Sequence, residues 1–229
     1  MENKKTPAVL SAAHFILDAY SGFLNPIMPF IAAKIGITMT FAAILISISN
    51  ITSSLSQPLF GYIADKIRHR FFIFWGMLAA SVFLSFLGAA NNIYTLIICI
   101  ILGHIGVSFF HPQGTSIVSS SAGGKSSDMS IFIASGTLGY AAGPAVSSYT
   151  AEIWGLEKLP YLSIIGIITA FALLKTVPKI QPVKHSKLSF VSAVSSILHN
   201  KPVFILTAAS IVKSFVVSSF LISLPFFWN

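Results

Sequence analysis

Charge is scarce in this sequence, and from Phe71 to Gly124 there is no Lys, Arg, Asp or Glu at all. Charged residues make up 9% of the 229, against roughly 25% in an ordinary soluble domain. That shortage excludes a water-soluble globular protein. Cysteine is also nearly missing: Cys99 stands alone in an apolar run, which rules out a disulfide framework and any Cys-based metal motif. Acidic residues number six against fourteen basic ones, for a formal charge of +8. Such an excess can signal nucleic acid, but here the basic residues fall in short connections between apolar runs, so no nucleic-acid partner is expected. The opening stretch has a basic head, yet its apolar segment carries His14 and Asp18 and runs past signal-peptide length, so it reads as a retained first helix.

Hydrophobic residues fill 55% of the chain. Apolar runs over residues 8–33, 41–64, 71–90, 93–120, 129–153, 158–175 and 203–227 are each near the roughly 20 residues that cross a hydrocarbon core as a helix. None shows the alternation of a barrel strand, and helices are then the remaining way to satisfy the backbone in lipid. Lys4, Lys5, Lys66, Arg68, Arg70, Lys125, Lys175, Lys179, Lys184, Lys187 and Lys201 fall on one side of this pattern, and Lys34 and Lys158 on the other. Eleven against two, alternating in step with the spans, predicts a cytoplasmic N-terminus. The expected organisation is a six-helix bundle over residues 1–175, a basic cytoplasmic linker with a short amphipathic surface helix over 176–202, and the first helix of an incomplete second bundle over 203–229. The expected fold class is an all-α membrane protein, a six-helix bundle plus a seventh transmembrane helix, stopping short of a twelve-helix architecture. A separately encoded second half is a candidate partner.

Three segments carry chemistry. His14 and Asp18 are four apart and share a helical face; His104 and His111 are seven apart and share one after two turns. The two helices run in opposite directions, which places Asp18 and His104 near the membrane midplane and His14 and His111 toward the cytoplasm. An ionised Asp18 facing lipid would cost several kcal/mol, so it is expected to face protein or water. Burial penalises the charged form of acid and base alike, which suits groups that must exchange protons with water on alternate sides. Gly22, Pro26 and Pro29 in the first span are matched by Gly103, Gly106, Pro112 and Gly114 in the fourth, the interruption pattern that marks a transporter site. Pro112 is expected to break its helix beside His111. Tyr20, Asn25, Asn50, Gln57 and Gln113 are expected to line a cavity. Lys213, in the seventh run, either snorkels to the interface or lines that cavity.

QPLFGYIADKIRHR, residues 57–70, resembles the loop signature of the major facilitator superfamily, with Gly61, Asp65, Lys66 and Arg70 in its positions. The resemblance implies that Asp65 works as a conformational latch. GYAAGP resembles the superfamily's drug-antiporter motif through Gly139, Gly143 and Pro144, a small-residue groove for another helix. HFILDAYSGFLNPIMP, SSLSQPLFGYIAD, FFHPQG and SAGGKSSDMSIF together resemble the fosmidomycin-resistance group. That resemblance implies a secondary transporter in the cytoplasmic (inner) membrane of a bacterium, not an enzyme, expelling small drug-like or metabolite molecules as protons enter. It implies no cofactor beyond the proton gradient, and small-molecule substrate, protons and lipid as partners. The proton and substrate groups would be His14, Asp18, Tyr20, His104, His111 and Gln113. The arginine common in the fourth helix of drug antiporters is missing. Two rival readings are a non-transporting fragment of such a carrier, and a membrane metalloenzyme with zinc on His14, His104, His111 and Asp18. Against the enzyme, the sequence holds no HExxH or clustered His box.

Overall fold

A computed structural model describes residues 5–67, 71–121, 126–177 and 189–223. All the regular elements there are helices: α1 (Lys5–Ser21), α2 (Leu24–Ile35), α3 (Met39–Ile67), α4 (Phe71–Phe86), α5 (Ile93–Ser121), α6 (Ser126–Ile153), α7 (Ser163–Thr176), α8 (Phe190–His199) and α9 (Lys201–Ser223), with short 3-10 segments at Leu87–Ala89 and Leu156–Leu162. Among the described residues six helical stretches are long and apolar enough to cross a membrane. They correspond to the first six runs read from the sequence. The seventh run, expected over 203–227, is helical from Lys201 to Ser223, is not one of those six, and its last four residues lie outside the described residues.

The chain divides into two compact units, Met1–Val183 and Lys184–Asn229. In the first, α1 lies at the centre, packed against α4, α5, α6 and α7, with Leu10, Ala13, Leu17 and Tyr20 buried. Outer faces are oily instead of polar: Ile131 and Leu138 of α6 and Ile168 and Phe171 of α7 are exposed, as side chains that meet hydrocarbon must be. In the second unit α8 and α9 pack together, and Asn200 caps α9, its carbonyl accepting from the Phe204 N–H at 2.8 Å.

Two expectations about interrupted helices are resolved in opposite ways. The first span is broken: α1 ends at Ser21 and α2 starts at Leu24, three and six residues beyond Asp18. Pro26 has no N–H to give the Gly22 carbonyl, so the ladder has a gap at this bend. The fourth span is not broken. α5 runs continuously through Pro112, which removes one hydrogen bond from a helix of 29 residues that α3, α4 and α6 hold in place. Lateral packing outweighs the loss of one rung.

α1 can sit deep because α6 offers it a groove. A Cβ on Gly139 would collide with the backbone of Phe15, and one on Gly143 with the backbone of Ala19. Pro144 closes the top of this contact: a Cβ on Gly22 would stand 2.9 Å from the Pro144 ring. Helices therefore meet backbone to backbone here, the role of small residues in membrane packing.

Candidate functional site

Asp18 projects from the last turn of α1 with its side chain 14% exposed, and two histidines meet it. His14, one turn earlier on the same helix, places Nε2 3.2 Å from Oδ2. His111 reaches across from α5 and places Nε2 3.0 Å from Oδ1. The two imidazoles contact each other edge to face, with ring centroids 5.1 Å apart. The other nitrogen of His14, Nδ1, lies 2.7 Å from the carbonyl of Phe132 in α6, whose ring also stacks on the imidazole at 4.1 Å. Three helices thus converge on one carboxylate.

The register differs from the sequence expectation by two turns of α5. His104, expected level with Asp18, instead turns Nδ1 back to its own helix, 2.8 Å from the Ile100 carbonyl, and His111 takes its place. Counted from the middles of the spans Lys5–Ile35 and Ile93–Ser121, the level of Asp18 falls two residues from His111 and five from His104, so rise along the helices already favours His111. His104 is not excluded from the surroundings. Together with Asp18, Asn50, Ser53, His111 and Tyr140 it lines a cavity of about 170 Å³.

A larger cavity of about 510 Å³ lies on the other side of His111, lined by Gln57, Gly61, Pro112, Gln113 and Met129 among others. His111 belongs to both. Gln113 is buried, and its Oε1 finds no hydrogen-bond partner among the described residues; the same holds for Nδ1 of His111. Gly61 faces Pro112 here, but a Cβ on it would sit 3.4 Å from the proline, ordinary contact distance, so close helix approach does not demand glycine.

Tyr20 stands apart from this group. Its hydroxyl donates to the Leu162 carbonyl at 2.6 Å and accepts from the Gly166 N–H at 3.0 Å, tying α1 to α7. Asn25 is exposed at the start of α2 and lines neither cavity. Asp65 and Lys66 continue the α3 helix, but their side chains, and all of Arg70, lie outside the described residues. Lys213 is exposed on α9, in the second unit.

Two participants escaped the sequence reading: the Phe132 carbonyl and Gly136. A Cβ on Gly136 would overlap the His14 ring and lie 2.7 Å from Asp18 Oδ2. A signal for Gly136 existed, since it stands three residues before Gly139 and seven before Gly143, on the same face of α6.

The cluster holds three donor atoms within 4.8 Å of one another, from His14, Asp18 and His111. Each imidazole meets a different carboxylate oxygen, His14 at 3.2 Å and His111 at 3.0 Å.

The sequence model of the Major Facilitator Superfamily matches residues 10–229. An uncharacterized MFS-type transporter, YfnC, of Bacillus subtilis is 24% identical over 61% of this chain and 34% of its own length. The multi-drug resistance efflux pump PmrA of Streptococcus pneumoniae is 26% identical over 64% of the chain and 38% of its own. The fosmidomycin resistance protein of Escherichia coli is 22% identical over 72% of the chain and 41% of its own. The aligned stretches thus span between a third and about two fifths of these relatives. With the family's sequence model matched from residue 10 to residue 229 and six stretches long and apolar enough to cross a membrane, this integral membrane protein belongs to the Major Facilitator Superfamily of transporters.

Proposed function

We propose that the chain supplies the proton-binding bundle of a secondary carrier that expels small drug-like or metabolite molecules in exchange for protons. The observation that supports this most is Asp18 bridged by His14 and His111 at 3.2 and 3.0 Å, inside a bundle where α4 and α5 carry no Lys, Arg, Asp or Glu. A single carboxylate with two imidazoles can gain and lose a proton, and a charge change in so apolar a place alters which conformation is favoured. His111 lies between the two cavities and is placed to pass a proton from the larger one to Asp18. Gln113, which lines the larger cavity and holds a buried carbonyl oxygen without a partner among the described residues, is the group we assign to the substrate.

The division into a bundle over 1–175, a linker over 176–202 and the first helix of a second bundle over 203–229 belongs to this proposal, as does a cytoplasmic N-terminus in a bacterial inner membrane. Alternating access needs two bundles about one site. The relatives are more than twice as long as the stretch they share with this chain, so we assign the second bundle to further sequence, in one chain or two.

The test uses inverted membrane vesicles containing the complete carrier, energised to an acid interior and followed with a pH-sensitive fluorescent dye. Across a panel of drug-like compounds, substrates should relax the pH gradient for the wild type and not for Asp18→Asn. A panel with no such compound, or equal relaxation by the variant, would overturn the reading.

A further inference from the structure

The tautomer of His14 is fixed by its neighbour, and that has a consequence for the proton. We propose that the α6 backbone at Phe132 and Gly136 is part of the proton site, holding His14 so that its contact with Asp18 exists only while the pair shares one extra proton. This rests on the proton-coupling reading above and deepens it.

A peptide carbonyl has no hydrogen to offer, so the 2.7 Å contact between His14 Nδ1 and the Phe132 oxygen requires the hydrogen to be on Nδ1. A neutral imidazole has one N–H, and with it on Nδ1 the other nitrogen, Nε2, presents a lone pair. That lone pair faces Asp18 Oδ2 at 3.2 Å. A lone pair and a carboxylate oxygen at this distance repel each other. The contact becomes attractive when one proton lies in it, either on Nε2, making an imidazolium, or on Oδ2, making a carboxylic acid. His111 makes no such demand. Its Nδ1 has no partner among the described residues, so a neutral ring can donate Nε2–H to Oδ1. The extra proton therefore belongs to His14 and Asp18.

Gly136 leaves the room this arrangement needs, because a Cβ there would take space held by the His14 ring and Asp18. α6 cannot step back to compensate without opening the Gly139 and Gly143 contacts with α1. The other titratable groups facing the pair are His111 and, across the smaller cavity, His104 from α5, and Tyr140 from α6. α4 has none, and α7 has only Lys175 in its last turn.

A small slide of α6 along α1 would withdraw the Phe132 carbonyl. His14 could then carry its hydrogen on Nε2 and donate it to an ionised Asp18, and the extra proton would leave to water in the cavity that Asp18 and His111 share. Proton release is thereby tied to helix movement. Phe132 and Gly136 are positioning residues in this scheme; neither exchanges the proton.

The test is nitrogen NMR on the purified chain, labelled with ¹⁵N-histidine and held in nanodiscs, with the His14 signals assigned by their loss in His14→Gln. In the wild type near neutral pH, His14 should carry hydrogen on Nδ1, and either its own ring or Asp18 should hold the extra proton. Asp18→Asn should leave that tautomer in place as a neutral ring, since an amide can donate to Nε2 directly. Gly136→Ala should abolish the fixed Nδ1–H state; if that variant fails to insert, the wild-type spectrum alone decides. A wild-type His14 that is neutral with its hydrogen on Nε2 would overturn the proposal, even where Asp18→Asn abolishes coupling in the carrier. A fixed Nδ1–H tautomer in a carrier that ignores the proton gradient would instead sink the transport reading and leave the tautomer lock standing.

Discussion

His111 touches Asp18 with one nitrogen and leaves the other without a partner among the described residues, while its neighbour Pro112 packs toward Gly61. The two adjacent residues should therefore separate cleanly by mutation. His111→Gln in the complete carrier keeps a hydrogen-bonding group beside Asp18 but one that cannot take up and pass on a proton, so proton-driven transport should slow while the protein stays folded. Pro112→Ala restores one backbone hydrogen bond in a helix that is already continuous, so stability should be equal or higher and the pH profile kept. The readout is transport rate against pH for both variants. Tyr20→Phe tests a different assignment. It removes a hydroxyl that bonds both Leu162 and Gly166, which should cost about 1–3 kcal/mol measured as a lower unfolding midpoint, with coupling unchanged. Loss of coupling at full stability would return Tyr20 to the site. At this scale the sequence made His14, Asp18 and His111 legible, because helical spacing decides which side chains share a face. It could not show that His104 bonds its own helix or that Tyr20 faces α7, because rotamers and helix rotation are set by packing partners.

Among the elements, α6 is the one whose sequence most directly shapes the site. Gly136, Gly139 and Gly143 lie on one face and admit α1 to backbone contact. Gly139→Ala should force the Phe15 backbone away and cost about 1–3 kcal/mol, or more if the helices cannot shift, read as reduced thermal stability of the purified protein. An unchanged midpoint would show that the groove is looser than described. Periodicity and run length were sufficient to find the six spans, since hydrocarbon thickness sets helix length from outside the chain. They were not sufficient to tell a proline that ends a helix from one that does not. Pro26 follows the bend at Gly22 and Phe23, where α1 gives way to α2, whereas Pro112 lies inside α5, facing Gly61 of α3, in a helix that α3, α4 and α6 hold in place.

For the whole molecule, the positions of eleven and two basic residues predict sidedness before any site is considered. A reporter fused after Lys125 should be cytoplasmic and one after Glu157 outside; finding both on one side would contradict six crossings. In the proposed carrier Asp18 couples protons to movement, a role separable from substrate binding. The direct measurement compares wild type and Asp18→Asn of the complete carrier in proteoliposomes, using a compound that relaxes the gradient in the vesicle screen. The variant should still equilibrate the compound down its own gradient but fail to concentrate it when a pH gradient is imposed. Uphill accumulation by Asp18→Asn equal to that of the wild type would contradict the account.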